Sequence, residues 1–217
     1  MRILIACEQS GKLRDRFLSQ GHVTYSCDIL PSSHPNHIQD DVRNVINSNK
    51  WDMMIAHPPC TYLSNAGMGA FSSDRYRKSE EAIEFFKFLY YAPIFHICIE
   101  NPVGYMNTHF HIEDQIIHPY YFGDPYLKRT CLWLKNLPRL VHTNRLSKPK
   151  GVGIYKSGSK KGKSYHWTDG VGGRERSKLR SITFNGIADA MANQWGNLSN
   201  YVPRCIITGK PLELNYG

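Results

Sequence analysis

Apolar and polar positions alternate along the chain in short blocks. Arg2-Ile3-Leu4-Ile5-Ala6 predicts a first strand. A tight turn through Gly11 follows, then Lys12 to Gln20, with Leu13, Phe17 and Leu18 on one helical face and Gly21 as the stop. Val23 to Cys27 predicts a second strand ending in Asp28. Trp51 to Ala56 predicts a buried strand, cut off by Pro58 and Pro59, which cannot continue a ladder. Ser79 to Tyr91 predicts a helix with Ala82, Phe85, Phe86, Leu89 and Tyr90 on its inner face. Ile94 to Ile99 predicts the next strand, and Glu100-Asn101-Pro102 its stop. Lys128 to Leu134 predicts a strand of alternating burial, and Thr183 to Trp195 a further helix through Ile187, Ala190 and Met191. Strand, turn and helix in alternation indicate an α/β fold.

Between these blocks two stretches lack periodicity. Asn65 to Ser73, rich in Gly, Ala and Ser, reads as a mobile loop beside the strand end. Residues 139–180 lose apolar periodicity and gain Lys, Gly and Ser, with Lys156 to Lys163 of low complexity and expected to be flexible. The chain therefore divides into a core over 1–138, a basic insert over 139–180, and a returning helix with a surface tail over 181–217.

Charge changes this picture, because it is not spread evenly. The net charge is +9, and Arg145 to Arg180 holds eleven Lys/Arg against only Asp169 and Glu175. The remaining chain balances at sixteen of each sign. One segment thus carries the whole excess, which implies a polyanionic partner or, more simply, a solvated loop. Tyr155, Tyr165, His166 and Trp167 flank it, and basic residues interleaved with aromatics suit phosphate contacts and base stacking. Lys156, Lys160, Lys161, Lys163, Arg174 and Arg176 are the candidate contacts. No run of 18 apolar residues exists, so no membrane-spanning helix is expected. The six cysteines are widely spaced, with no Cys-x-x-Cys pair, which fits reduced thiols in a cytoplasmic setting better than a disulfide framework or zinc site. His22, His34 and His37 read as surface residues, and no metal site is expected.

Two strand ends carry the candidate chemistry. Cys60 sits on the His57-Pro58-Pro59-Cys60 loop after one strand, and Glu100 closes the next, so a thiol and a carboxylate can face one pocket. Carbon 5 of a pyrimidine is a poor nucleophile. A thiolate adding at carbon 6 makes it an enamine-like one, and a carboxylic acid at the ring edge can bond nitrogen 3 and the exocyclic amine. Taken singly, Cys60 reads equally as a structural thiol and Glu100 as an ion-pair partner. Asp28, at the end of the second strand, is placed to hold ribose hydroxyls. Asp41 either accepts from an adenine amine or caps a helix.

Together these residues resemble the cytosine-5 DNA methyltransferase family. The likeness rests on Pro59-Cys60 with Ser64 as the loop serine, Glu100-Asn101, Asp28, Asp41-Val42, and Phe122-Gly123-Asp124-Pro125. It extends to compact phage and prophage members through Ala56 to Leu63, Ile99 to Pro102, Lys128 to Leu134 and Ser181 to Ala188. It implies a Rossmann-like S-adenosylmethionine-dependent methyltransferase fold, a mostly parallel sheet with helices on both faces. It implies Cys60 and Glu100 as catalytic residues, supported by Pro59, Ser64, Asn101 and Lys128. It implies cofactor contacts from Cys7, Glu8, Ser10, Gly11, Asp28, Ile29, Asp41, Val42 and Pro58, and duplex DNA with a flipped cytosine as substrate. The departures are Ala6 to Gly11 in place of the family's first glycine motif, Tyr126, Lys128 and Thr130 in place of its glutamine and arginines, and Pro102 after Glu-Asn. Three other readings stay open. One is an amino methyltransferase, whose loop His57-Pro58-Pro59-Cys60 half matches. Another is a weakly catalytic nucleic-acid-binding protein on this scaffold. The third is an enzyme acting on RNA or free nucleotides.

Overall fold

The computed structural model describes residues 1–48, 50–64, 73–165 and 183–198. Among these residues seven strands form one sheet in the order β3-β2-β1-β4-β5-β7-β6. They are β1 (Arg2–Ala6), β2 (Val23–Asp28), β3 (His37–Gln39), β4 (Met53–Ala56), β5 (His96–Pro102), β6 (Gln115–Ile117) and β7 (Thr130–Lys135). All pairings from β3 to β5 are parallel, and β7 runs antiparallel to both of its neighbours. The strand order reverses between β1 and β4, so the crevice for a ligand opens at the carboxyl ends of β1, β2, β4 and β5.

Period-2 alternation sends each strand's residues to two cores. Leu4, Ala6, Met54, Ala56, Ile97, Ile99, Cys131 and Trp133 pack with α2 (Val42–Ile46) and α3 (Ser73–Tyr90). Ile3, Ile5, Met53, Ile55, Cys98, Leu132 and Leu134 pack with α1 (Lys12–Ser19) and, beyond the short α4 (Met106–His109), α5 (Asn185–Trp195). Helices therefore cover both faces, and Leu13, Phe17, Met191 and Trp195 are fully buried. Phe122 and Asp124 meet the start of α5, where the Gly186 amide donates to Asp124 Oδ2 at 2.8 Å.

Several elements differ from the sequence reading. β5 runs past Ile99, its last pairing with β4, and ends at Pro102, which pairs with Thr130 where only β7 flanks the strand. β7 is buried through Thr130 to Leu134 without alternation, because β5 and β6 flank it and cores lie on both faces. α3 begins at Ser73, two turns earlier than its apolar face suggests. β3 and β6 have too few residues for a periodic signal. Leu140 is buried in the core, and the Leu146 amide donates to the Tyr120 carbonyl at 2.8 Å, so the chain stays tied to the sheet as far as 146. The basic stretch then forms a two-stranded hairpin, β8 (Gly153–Ile154) with β9 (Ser164–Tyr165). Residues 65–72, 166–182, which include Arg174 and Arg176, and the tail from 199 lie outside the described residues. Among the described residues no helix is long and apolar enough to cross a membrane.

Candidate active site

The crevice is built from four strand ends. At the end of β1 the chain turns sharply: Cys7 takes φ 58° and Gly11 φ 71°. Gly11 has no room for a side chain, since a Cβ there would overlap the Arg14 guanidinium. Glu8, only 5% exposed, folds back onto α1. Its Oε1 accepts from the Leu13 amide at 2.9 Å and from Ser10 Oγ at 3.2 Å, and its Oε2 from the Arg14 amide at 3.4 Å. A carboxylate is stabilised there by the orphan amides and dipole of the helix start.

At the end of β2, Asp28 Oδ1 accepts from the Leu30 amide at 2.9 Å, while Oδ2 has no partner among the described residues. Ile29 beside it is 72% exposed, an apolar platform next to a carboxylate. Asp41 is the N-cap of α2 and accepts from the Arg43 amide at 2.9 Å. It also pairs with the Arg43 guanidinium at 2.5 Å, which holds its carboxyl below the usual carboxylate range. Of the two readings of Asp41, the helix cap is therefore the one the geometry displays, with Val42 buried behind it. Burial first, and then the charges of Asp28 and Asp41, push the Cys7 thiol up to about 12. Cys7, Asp28 and Asp41 thus share one electrostatic neighbourhood.

At the end of β4 the Cys60 loop is pinned on both sides. The His57 amide donates to the Ala6 carbonyl at 3.0 Å, and Asn101 Nδ2 donates to the Pro58 carbonyl at 3.1 Å. The Leu63 and Ser64 amides return to the Cys60 carbonyl at 3.1 and 3.0 Å, closing a turn that leaves the Cys60 side chain exposed. Leu63 anchors the turn at 1% exposure, and its carbonyl accepts from the Tyr105 amide at 2.8 Å. Ser64 bridges to Gly104. From α3, Arg75 and Lys78 lie over the Tyr62 ring of the same turn, at 5.5 and 5.8 Å.

Glu100, near the end of β5, is 15% exposed and held on both oxygens. Oε2 meets His57 Nδ1 at 2.7 Å, and Oε1 faces Lys128 Nζ at 3.6 Å. Burial alone would raise its carboxyl, but Lys128 and His57 outweigh burial and bring it to about 2. Lys128 and His57 thus favour the carboxylate form of Glu100, whereas the sequence reading placed a carboxylic acid at the ring edge. Burial pulls His57 down, yet Glu100 and then Glu8 leave it above its ordinary value. Lys128 also lies 5.8 Å from the Phe184 ring, which Tyr126 packs against at 5.2 Å.

A hydrogen bond joins Pro58 with Asn101 and an ion pair Glu100 with Lys128, Cys60 and Ser64 lie on the turn that follows Pro59, and Cys7, Glu8, Ser10, Gly11, Asp28, Ile29 and Asp41 lie at or after the ends of β1 and β2. His57 belongs to this site as well. The only sequence signal for His57 was its place directly before the two prolines. The basic hairpin presents exposed Lys156, Lys160, Lys161 and Lys163, with Lys160 Nζ 5.6 Å from the Tyr155 ring and Tyr155 against Tyr165 at 5.3 Å. No group of three His, Cys, Asp or Glu arranged for a metal occurs among the described residues. A groove lined by Ile46, Phe88, Tyr91 and Pro93 lies where α2 and α3 end, before the starts of β4 and β5, whereas Cys60 follows the end of β4.

The strand order, with a single antiparallel strand β7 inserted beside β5, is that of a Rossmann-like S-adenosylmethionine-dependent methyltransferase fold. No protein-family model matches the chain, and no curated protein matches it in sequence. Among solved structures it is similar to a protein described as a DNA modification methyltransferase encoded within an E. coli prophage, at 16% identity and a TM-score of 0.42 over 62% of this chain and 46% of that one. It is also similar to a mutant of Spodoptera frugiperda DNMT2, at 17% identity and a TM-score of 0.44 over 70% of this chain and 57% of that one. The chain thus spans about half the length of these two structures.

Proposed function

We propose that this chain is a DNA methyltransferase that methylates carbon 5 of cytosine through a covalent adduct on Cys60. The observation that carries the reading is the union of two strand ends. Asn101 holds Pro58, His57 meets Glu100, and Cys60 is exposed just beyond these anchors, at the start of the turn that Leu63 and Ser64 close. A cytosine turned out of the duplex into the rim meets a thiol on one side and a carboxylate on another. Cys60 Sγ bonds to carbon 6 and the ring electrons move toward carbon 5. Glu100 accepts from the exocyclic amine and keeps the ring edge in register. Carbon 5 takes the methyl group, a base or water removes the carbon-5 proton, and the Sγ–carbon 6 bond breaks, which returns the Cys60 thiolate and restores the aromatic ring.

S-adenosylmethionine, when bound, supplies the methyl group as an electrophile. The residues fit it. Asp28 Oδ2 is open to ribose hydroxyls, and Ile29 offers an apolar face beside it. The Glu8 carboxylate already occupies the first amides of α1, so this turn suits an ammonium group better than a second carboxylate. Cys7, Ser10 and Gly11 shape the same turn, Pro58 lies at its β4 side, and Val42 backs Asp41. The lysines of the hairpin, with Arg174 and Arg176 further along the chain, supply phosphate contacts to duplex DNA.

Nucleoside mass spectrometry and bisulfite sequencing of a treated duplex test the product. Cys60→Ser removes methylation while cofactor binding, read by calorimetry, persists; near wild-type methylation by that variant refutes the covalent route. One observation favours a second reading, methylation of an exocyclic amine. Glu100 as an anion accepts from an amine but does not donate to nitrogen 3. N4-methylcytosine or N6-methyladenine in the same digest would select it.

A further inference from the structure

We propose that His57 is a positioning residue of the reaction: its ring holds Glu100 in one orientation, so that the rim selects a base whose edge donates an amine hydrogen. This inference rests on the function proposed above.

The geometry begins with sheet register. Ala56 pairs with Ile99, so His57 and Glu100 are lateral neighbours at the ends of β4 and β5. Alternation turns both toward the α1 and α5 side, because Ile55 and Cys98 face that core and Ala56 and Ile99 face the other. The two side chains are 14% and 15% exposed and meet at 2.7 Å. A pair so enclosed is worth more, and costs more to break, than an exposed one.

The pair is part of a longer array. Across the strand ends run Glu8 after β1, His57 after β4, Glu100 in β5 and Lys128 before β7. Their charges alternate in sign once His57 is protonated. Each member is enclosed: Glu8 is 5% exposed and Lys128 17%. Glu8 and Glu100 favour the imidazolium, and Lys128 and burial oppose it. Nδ1 carries the bond to Glu100, while Nε2 is buried without a partner among the described residues. The ring is therefore oriented through Nδ1. Glu100 then has Oε2 fixed on His57 and Oε1 toward Lys128, with lone pairs left to accept and no proton to donate. Cytosine presents an amine hydrogen to such a group. Uracil and thymine present a carbonyl at the same position, and two acceptors facing each other repel. Because Glu8 also caps α1, the array links the β1 turn to the group that reads the base.

The test has two arms. In the first, His57 is titrated by NMR on imidazole-labelled full-length protein, without cofactor or DNA. His57 is expected to titrate above free histidine in the wild type, to fall back in Glu100→Gln, and to rise further in Lys128→Met. A wild-type His57 titrating at or below free histidine overturns the proposal. In the second, methyl transfer to a cytosine duplex is followed against pH. Wild-type activity falls as pH rises through the His57 titration. His57→Asn retains a neutral donor near Nδ1; it loses about 10- to 100-fold at neutral pH, the range for a hydrogen bond to a charged group, and it lacks the alkaline fall. A His57→Asn profile that keeps the wild-type alkaline limb also overturns the proposal. If the wild type transfers no methyl group to carbon 5, the proposed function fails, while the titration still decides whether His57 and Glu100 are coupled as described.

Discussion

Gly104 is the most informative single position for the Cys60 loop. It lies beneath the turn that Cys60 opens, bridged to Ser64, and neither a positive φ nor a cavity explains its being glycine. A Cβ at 104 would fall well inside the 3.0 Å that real Cβ atoms keep from their neighbours, against the backbone oxygen of Leu63, and would lie 3.1 Å from the Leu63 carbonyl carbon and Ser64 Cα. These are backbone atoms, so no rotamer change relieves the overlap. Leu63 is held from both directions: its amide by the Cys60 carbonyl, its carbonyl by the Tyr105 amide. Gly104→Ala must then move the 60–64 turn by about 1 Å, and a displacement of that size in a reacting group costs about 100-fold in rate. The overpacking itself costs about 1–3 kcal/mol of stability. The assay is the rate of covalent capture on a 5-fluorocytosine duplex with S-adenosylmethionine, beside a thermal melt. Gly21→Ala is the control. Nothing lies within 4 Å of a Cβ there, but φ is 82°, so it loses stability through backbone strain alone and keeps its capture rate. If Gly104→Ala captures the duplex at the wild-type rate, the pinned turn does not position Cys60 and the reasoning fails.

Four further outcomes follow from the same geometry. Alkylation at pH 8, mapped by peptide mass spectrometry, should reach Cys60 before Cys7, Cys27, Cys98 or Cys131, because burial first, with nearby carboxylates, pushes those thiols up; faster labelling of Cys7 would contradict it. Replacing Lys160, Lys161 and Lys163 together by Ala should lower the slope of log affinity against log salt by up to about 3, near 0.9 per phosphate contact, and an unchanged slope removes the hairpin from the interface. Glu100 has its folded pKa depressed to about 2, so its pairing stabilises the fold above its ordinary value and is lost as pH falls toward about 2. Denaturant unfolding should show roughly 3 kcal/mol of that acid-sensitive stability, absent in Glu100→Gln. His57 has the opposite sign: with its folded pKa raised, its contribution is complete below its ordinary value and is lost as pH rises through the folded one, which His57→Asn should abolish.

What the sequence made legible depends on what holds each element together. The β1–α1–β2 unit and α5 could be read because their apolar residues repeat with the period of the element and are buried, as with Ile3, Ile5, Leu13, Phe17 and Met191. The first two turns of α3 could not. Ser73 to Lys78 presents no apolar stripe and is held by ion pairs at helical spacing, Asp74 with Arg77 and Lys78, and Arg77 with Glu81. β3 is three residues long and ties to β2 partly through His37, which bonds Ser26 Oγ at 2.9 Å and the Leu30 carbonyl at 2.9 Å. A histidine in loop-like sequence therefore stands in a strand. The Lys156 to Lys163 stretch looks featureless as composition. Its hairpin depends on Tyr165, which fills the space that a side chain at Gly153 would need.

The candidate site divides along the same line. Cys60 and Glu100 could be found from sequence because each closes an apolar run. His57 could not, because its role is set by register: Ala56 opposite Ile99 brings it to Glu100, and sequence separation hides a pairing across 43 residues. The register also alters the chemistry assigned to Glu100. As an isolated carboxyl at a strand end it could hold a proton for the ring. Between His57 and Lys128 the carboxylate form is favoured, and under the proposed function that form accepts from the base. His57 Nδ1 and Lys128 Nζ flank its two oxygens and limit where its remaining lone pairs point. Under the proposed function, base choice and charge balance rest on one set of side chains. It follows that Lys128 and His57 are not interchangeable supports: removing Lys128 strengthens His57 as a cation, whereas removing His57 leaves Glu100 with one partner at 3.6 Å and an orientation that Lys128 alone does not fix.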